Sequence, residues 1–299
     1  MNHEKKKVAL LSVGAAIFLT GSKLIIGIIT GSLGILSEAL HSALDLVAAI
    51  ITYFAVRISD KPRDKDHHFG HGKVENLSAL IETALLIMTC IWIIYEAIQR
   101  IISGNLKIEV TVMSYVVIGS SIIIDYWRSR ALSKVAKKYN SQALEADALH
   151  FSTDIWSSLV VLLGLLCSNF GYYYADTIAA LGVAIIVTTV SYRLGLRSIN
   201  VLLDRAPDKI TPQIEQLLSS QKCILGYQNL RVREGGATVF TNFTIKVDPE
   251  LSIGKAHSIA DDIEIQIRFA FPKSEITIHI EPAEIKVHEI VIKEENSQH

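Results

Sequence analysis

The chain has 299 residues, half of them hydrophobic and 20% charged, with a mean hydropathy of +0.35. A disordered chain would be less apolar and less balanced in charge. A nucleic-acid binder would be more basic, and a disulfide scaffold would need more than three cysteines. The net charge of −1 hides a division: residues 1–207 carry 19 Lys/Arg and 16 Asp/Glu, while residues 208–299 carry 10 and 14.

Between Val8 and Val56 the only charges are Lys23, Glu38 and Asp45. That stretch holds two membrane spans of about 20 residues each, with a turn at Thr30-Gly31-Ser32. Further apolar stretches cover roughly 77–102, 110–126, 143–167 and 177–203, six in all. A buried helix of a soluble protein explains one such run, not six. The first run follows Lys5-Lys6-Lys7 like a signal peptide. It has no small-x-small cleavage site and continues to Ile29, so it reads as a retained helix.

Lys and Arg crowd alternate connections. One set comprises the N-terminus, the second loop (Arg57, Lys61, Arg63, Lys65, Lys73), the fourth (Arg128 to Lys138) and the end of the sixth span. The other loops, near 31–34, 103–109 and 168–176, contain only Lys107. Both termini are therefore expected in the cytoplasm, with Tyr172, Tyr173 and Tyr174 at the outer interface.

After Pro207 the texture changes. A short helix over 211–220 precedes alternating strands at 230–233 and 243–247, a helix at 253–271 and a strand at 275–280. The order αββαβ predicts a small α+β domain. The division is 1–207 for the membrane part, 208–287 for this domain and 288–299 for a frayed tail.

Two spans carry ionisable residues that structure alone does not require. The second reads Glu38-Ala-Leu-His41-Ser-Ala-Leu-Asp45, and the fifth reads Asp147-Ala-Leu-His150-Phe-Ser-Thr-Asp154. Each places His and Asp four apart, on one helix face. A charged Asp near the bilayer centre costs roughly 2.5–3.5 kcal/mol on insertion scales. Two imidazoles and two carboxylates make an N₂O₂ set suited to tetrahedral Zn²⁺; a paired His/Asp hydrogen-bond network is the plainer alternative. The two spans run antiparallel, which puts His150 level with Asp45 and Asp154 level with His41. Glu38 and Asp147 either guide ions at opposite mouths or act as capping and interfacial acids.

The second loop contains Asp64, His67 and His71, spaced either for a surface metal site or for an ordinary solvated loop. His279 and Glu281 share one face of the last strand, and His257 lies on the preceding helix. These are site candidates or isolated surface groups. Cys90, Cys167 and Cys223 form no C-x-x-C pair and read as small buried residues. The absence of a P-loop, G-x-S-x-G or H-E-x-x-H motif disfavours ATP-driven transport within this chain and the common hydrolase chemistries.

With the two His/Asp octets, the segment Phe69-Gly70-His71-Gly72-Lys73-Val74-Glu75 and the αββαβ domain, the chain resembles the cation diffusion facilitator family, including bacterial homodimeric members. The resemblance spans nearly the whole length. It implies a polytopic protein of six transmembrane helices with a C-terminal ferredoxin- or metallochaperone-like cytoplasmic domain.

In function, the resemblance implies proton-coupled antiport of a divalent metal. His41, Asp45, His150 and Asp154 match the family's transport site, and Asp64, His67 and His71 its loop site. His41 stands where zinc/iron-type bacterial members often have Asp, so the set is similar to zinc-selective members. Gln228 and Thr244 occupy positions of family histidines, so His257, His279 and Glu281 imply one cytoplasmic-domain metal rather than two. Lys73 and Asp204 match an intersubunit salt bridge.

The expected ligand is Zn²⁺, as substrate and regulator, with no organic cofactor. The expected partners are a second copy of the chain, the bilayer and protons, with no nucleic acid, in the plasma (inner) membrane. Alternatives are export of Fe²⁺, Co²⁺, Ni²⁺ or Mn²⁺, a membrane metal sensor that does not transport, and an intramembrane zinc hydrolase. Four facing ligands are too closed for the last.

Overall fold

The computed structural model describes residues 3–30, 33–103, 112–169 and 175–283. Contacts divide the chain into two compact units, Met1–Arg205 with Glu234–Thr238 and Ala206–Arg233 with Val239–His299.

The first unit holds six long helices: α1 (His3–Thr30), α2 (Leu33–Ser59), α3 (Lys73–Ser103), α4 (Val112–Tyr139), α5 (Gln142–Asn169) and α6 (Ala175–Leu202). By length and composition, His3–Ile29, Ser42–Ser59 and Lys73–Ser103 are apolar enough to cross a membrane. Asp125 and Arg128 lie on α4, and Asp147 and Asp154 on α5. Outward-facing side chains such as Phe18, Ile25, Trp92 and Trp127 are large and exposed, as on a surface solvated by lipid.

One sequence expectation needs correction. The basic stretch Arg128–Lys138 is not a loop, because α4 continues through it to Tyr139. Hydropathy marks where a helix leaves an apolar medium, not where its backbone hydrogen bonds end. The helix stops at Asn140, whose φ of 50° is left-handed. There the Ser141 N–H donates to the Ala136 carbonyl at 3.0 Å, a common helix-ending turn. Tyr172–Tyr174, Gly31 and Ser32 lie outside the described residues.

The most extensive helix contacts among the described residues are α3 with α6, α1 with α2 and α4 with α5. Gly195 lets α6 approach α3; a methyl group there would come within 3.0 Å of the Thr83 side chain. Small residues at such crossings let backbones meet within a bilayer. A buried polar knot ties α1, α2 and α3 to the α4–α5 turn at one end of the bundle. The Glu75 carboxylate accepts from Lys5 Nζ, from Ser59 Oγ at 2.7 Å and from Ser141 Oγ, while Lys5 also reaches Asp60 at 3.4 Å.

The second unit consists of α7 (Ile210–Ser219), β1 (Gly226–Gly235), β2 (Thr238–Val247), α8 (Ile253–Ala270) and β3 (Ser274–Pro282). This is the expected αββαβ order. The sheet order is β1-β2-β3, with β3 parallel to β2. Ile214, Leu218, Phe243, Ile245, Ile263 and Ile267 fill the core between helices and sheet. Ser252 caps α8 by accepting from the Lys255 N–H at 3.4 Å. The tail 288–299 lies outside the described residues.

Candidate metal centre

Among the described residues, two groups of three ionisable side chains bring their donor atoms within 4.8 Å of one another: Asp45, His150 and Asp154, and Asp64, His67 and His71.

The first group sits between α2 and α5. His150 Nε2 lies 2.9 Å from Asp45 Oδ1 and 3.7 Å from Asp154 Oδ2. The i,i+4 step on α5 stacks His150 and Asp154 on one face, and α2 supplies Asp45 opposite them. His150 is 6% exposed, and its Nδ1 has no hydrogen-bond partner among the described residues. An imidazole nitrogen and two carboxylates are hard-to-borderline donors that fit a divalent cation, Zn²⁺ included. His41 and Glu38 belong to α2, but their side chains lie outside the described residues. Asp147 is fully buried and accepts from Ser12 Oγ at 3.2 Å. It is therefore an interior group rather than an interfacial cap.

The second group is built by one turn of chain. Asp64 Oδ1 accepts from the backbone N–H of Asp66 at 3.0 Å and of His67 at 2.8 Å. It also lies 3.0 Å from His67 Nδ1, while Asp64 Oδ2 lies 3.3 Å from His71 Nε2. Gly70 makes the bend possible, since its φ of +78° is one that side chains resist. The two imidazole centroids are 4.3 Å apart. Burial raises the Asp64 carboxyl, but the hydrogen bonds from His67 outweigh it and hold the group below the ordinary carboxylate range. Asp64 and His67 are half exposed, whereas His71 is buried.

The cytoplasmic-domain residues do not gather among the described residues. His257 Nε2 is 3.6 Å from Asp261 Oδ1 on its own helix. His279 Nε2 is 3.3 Å from Glu281 Oε1. Glu281 Oε2 accepts from Lys246 Nζ, and from Gln228 Nε2 at 3.1 Å. Strand pairing explains this, because Lys246 and Glu281 are register partners on β2 and β3. The Lys246 hydrogen bond holds the Glu281 carboxyl below its usual range. Lys73 Nζ donates to Asp204 Oδ1 at 2.8 Å and to the Leu202 carbonyl at 3.2 Å within the same chain. Formed this way, the bridge joins the start of α3 to the end of α6. Cys90 is buried, Cys223 is exposed, contrary to its expected burial, and the side chain of Cys167 lies outside the described residues.

Sequence reasoning did not mark Glu82 or Asp125 as interior charges, and it placed Arg128 in a loop. Glu82 on α3 is 1% exposed and accepts from Ser78 Oγ at 3.0 Å and from Thr52 Oγ1. Asp125 and Arg128 on α4 are buried and paired at 3.1 Å. The signal was available, since an ionisable residue in an apolar span marks a functional candidate.

Comparison with known proteins gives the family. The family description "Cation efflux transmembrane domain" matches residues 9–203, and "Cation efflux protein, cytoplasmic domain" matches residues 206–283. The cation-efflux pump FieF of Shewanella oneidensis is 33% identical over 279 residues, 92% of this chain and 93% of the relative. FieF of Shigella boydii serotype 18 is 32% identical over 261 residues, 86% and 85% of the two chains. Among solved structures, the metal-bound C-terminal domain of the CzcD transporter from Thermotoga maritima is 24% identical, with a TM-score of 0.24. That match covers 26% of this chain and 92% of the other.

The molecule is thus a helical membrane transporter with a small α+β cytoplasmic domain. It belongs to the cation diffusion facilitator family and is a cation efflux transporter, not an enzyme. The hydrolase and sensor alternatives fall with that membership.

Proposed function

We propose that this chain exports Zn²⁺ from the cytoplasm in exchange for protons, through a site made by His41, Asp45, His150 and Asp154. The observation that carries the reading is the convergence of Asp45, His150 and Asp154 between α2 and α5, with donor atoms within 4.8 Å. His41, one helical turn before Asp45, completes a four-donor N₂O₂ set of the kind Zn²⁺ takes. Metal binding requires deprotonated ligands. Protons arriving from the far side therefore compete the metal off, and imidazole titrates in the right range. Cytoplasmic termini follow from the basic rim on alternate connections, and the bacterial relatives support an inner-membrane location.

Asp64, His67 and His71 form a loop site on the cytoplasmic side that loads or senses metal. Their donor atoms are also within 4.8 Å of one another. In the C-terminal domain, a metal on His257, His279 and Glu281 must first displace Lys246 from Glu281. We assign that set a regulatory role filled at higher metal concentration than the other two. The functional unit is a homodimer.

The test is a metal panel in proteoliposomes with an imposed pH gradient. Zn²⁺ movement should depend on the gradient and be lost in His41→Ala and Asp154→Ala. Normal rates in both variants overturn the site. Faster movement of Fe²⁺, Co²⁺, Ni²⁺ or Mn²⁺ overturns the choice of metal.

A further inference from the structure

The interior of α4 carries a charge pair that the proposed transport site does not use. Arg128 Nη1 donates to Asp125 Oδ1 at 3.1 Å, and Nη2 donates to Ser12 Oγ at 3.1 Å. Ser12 Oγ in turn donates to Asp147 Oδ2 at 3.2 Å. The guanidinium carbon lies 3.5 Å from the centroid of the Phe151 ring, within cation–π range. Phe151 is fully buried and meets the His150 ring edge-on, with centroids 5.5 Å apart. Asp125 lies within electrostatic reach of Asp154 and Asp45, which repel its charge, while Arg128 lies within reach of Asp147 and attracts it.

These contacts form one assembly across three helices. Arg128 holds an acid within electrostatic reach of Asp45 and Asp154, a hydroxyl that donates to Asp147 and the ring that meets His150. A guanidinium suits this role because it is always charged and presents several fixed donors at once. In a low-dielectric interior, an uncompensated charge acts strongly on a nearby dication. Asp125 alone would deepen the attraction for metal, and Arg128 alone would oppose it. Joined, they largely cancel.

We propose that the Asp125–Arg128 pair is a charge-balanced element beside the transport site, and that its internal balance sets how tightly the site holds its cation. Arg128 is a positioning residue that also sets affinity, and Asp125 is an outer acid of the site supplied by a third helix. The inference rests on Asp45, His150 and Asp154 being the transport site.

It makes a signed prediction. Arg128→Gln leaves Asp125 unbalanced, so Zn²⁺ should bind about tenfold tighter and leave more slowly, with transport falling at saturating metal. Asp125→Asn leaves Arg128 unbalanced, so Zn²⁺ should bind about tenfold more weakly. The double variant should return Kd to within about threefold of the parent. Arg128→Lys keeps the charge and should stay near the parent Kd even where turnover drops.

The experiment is Zn²⁺ titration of the full-length protein in detergent against a competing fluorescent chelator. An Asp64→Ala/His71→Ala background silences the loop. Opposite shifts in the two single variants support the proposal. Shifts in the same direction, or none, overturn it as mere structural support. If Arg128→Gln does not fold, Asp125→Asn decides alone: unchanged or tighter binding overturns the proposal. If the background protein binds no Zn²⁺ that Asp45→Ala removes, the transport-site reading itself has failed.

Discussion

The two donor clusters of the membrane unit use the same chemistry in opposite surroundings. Asp45, His150 and Asp154 come from two helices and are mostly buried. Asp64, His67 and His71 come from eight consecutive residues, and two of the three are half exposed. In the loop, water and backbone N–H groups share the work of stabilising Asp64. In the interior little solvent helps, so each charge needs a protein partner or a bound cation. The first cluster is therefore embedded among Asp125, Arg128, Ser12 and Asp147, while the second needs only a glycine bend. A buried site buys selectivity and control of access with a large supporting cast.

The sharpest break of this comparison is a matched pair of substitutions. Asp45→Ala leaves His150 without its 2.9 Å partner and removes a ligand from a site with little solvent to replace it. Transport should fall at least about 100-fold, since breaking a buried charged pair costs roughly 3–5 kcal/mol and each 1.4 kcal/mol is tenfold. Asp64→Ala should lower transport only about threefold, because exposed pairs are worth roughly 0–1 kcal/mol. Initial rates in proteoliposomes measure both. Equal losses would mean that the loop is an obligatory station on the path, and the contrast in burial would lose its functional meaning.

The next effect concerns stability. Lys5→Met strands the buried Glu75 carboxylate that Lys5 now compensates. The expected loss is about 3–5 kcal/mol, seen as a lower unfolding temperature in detergent. Lys5→Met/Glu75→Gln should recover much of it, because replacing both partners avoids an unpaired buried charge. No recovery would mean that Lys5 acts through packing rather than charge.

The sequence made the helices and the grouping of Asp45 with His150 and Asp154 legible because both depend on local spacing. Apolar runs located the spans, and the i,i+4 step put His150 and Asp154 on one face. Boundaries were harder. The run ending near Tyr126 hid thirteen further helical residues, because α4 is held in its polar half by backbone hydrogen bonds and packing that hydropathy does not register. Convergence across the fold was harder still. Nothing in the spacing of Lys5, Ser59, Glu75 and Ser141 shows that they share one knot. Likewise, His257 and His279 look alike in sequence, yet His257 turns to Asp261 on its own helix. The interior acids Glu82 and Asp125 were visible to the same rule that marked Asp147. They were missed because neither has a histidine three residues on to draw attention.

The smallest expected effect extends the contrast to the cytoplasmic domain, where a fixed ammonium already answers the carboxylate. Lys246 holds the folded-state pKa of Glu281 below its ordinary value. A carboxyl depressed in this way stabilises the fold at pH above its unfolded pKa, about 4.3 for Glu. That contribution is lost as pH falls through the lower folded value. Glu281→Gln should therefore reduce the melting temperature of this domain's unfolding step slightly at pH 7, and the difference should shrink and vanish as pH falls below the depressed folded-state value. The same variant should leave Zn²⁺ affinity of the domain unchanged at low micromolar metal, because Lys246 and not metal occupies the carboxylate there. A clear loss of Zn²⁺ binding in Glu281→Gln would show that metal displaces the lysine readily. The cytoplasmic set would then rank beside the loop site rather than behind it.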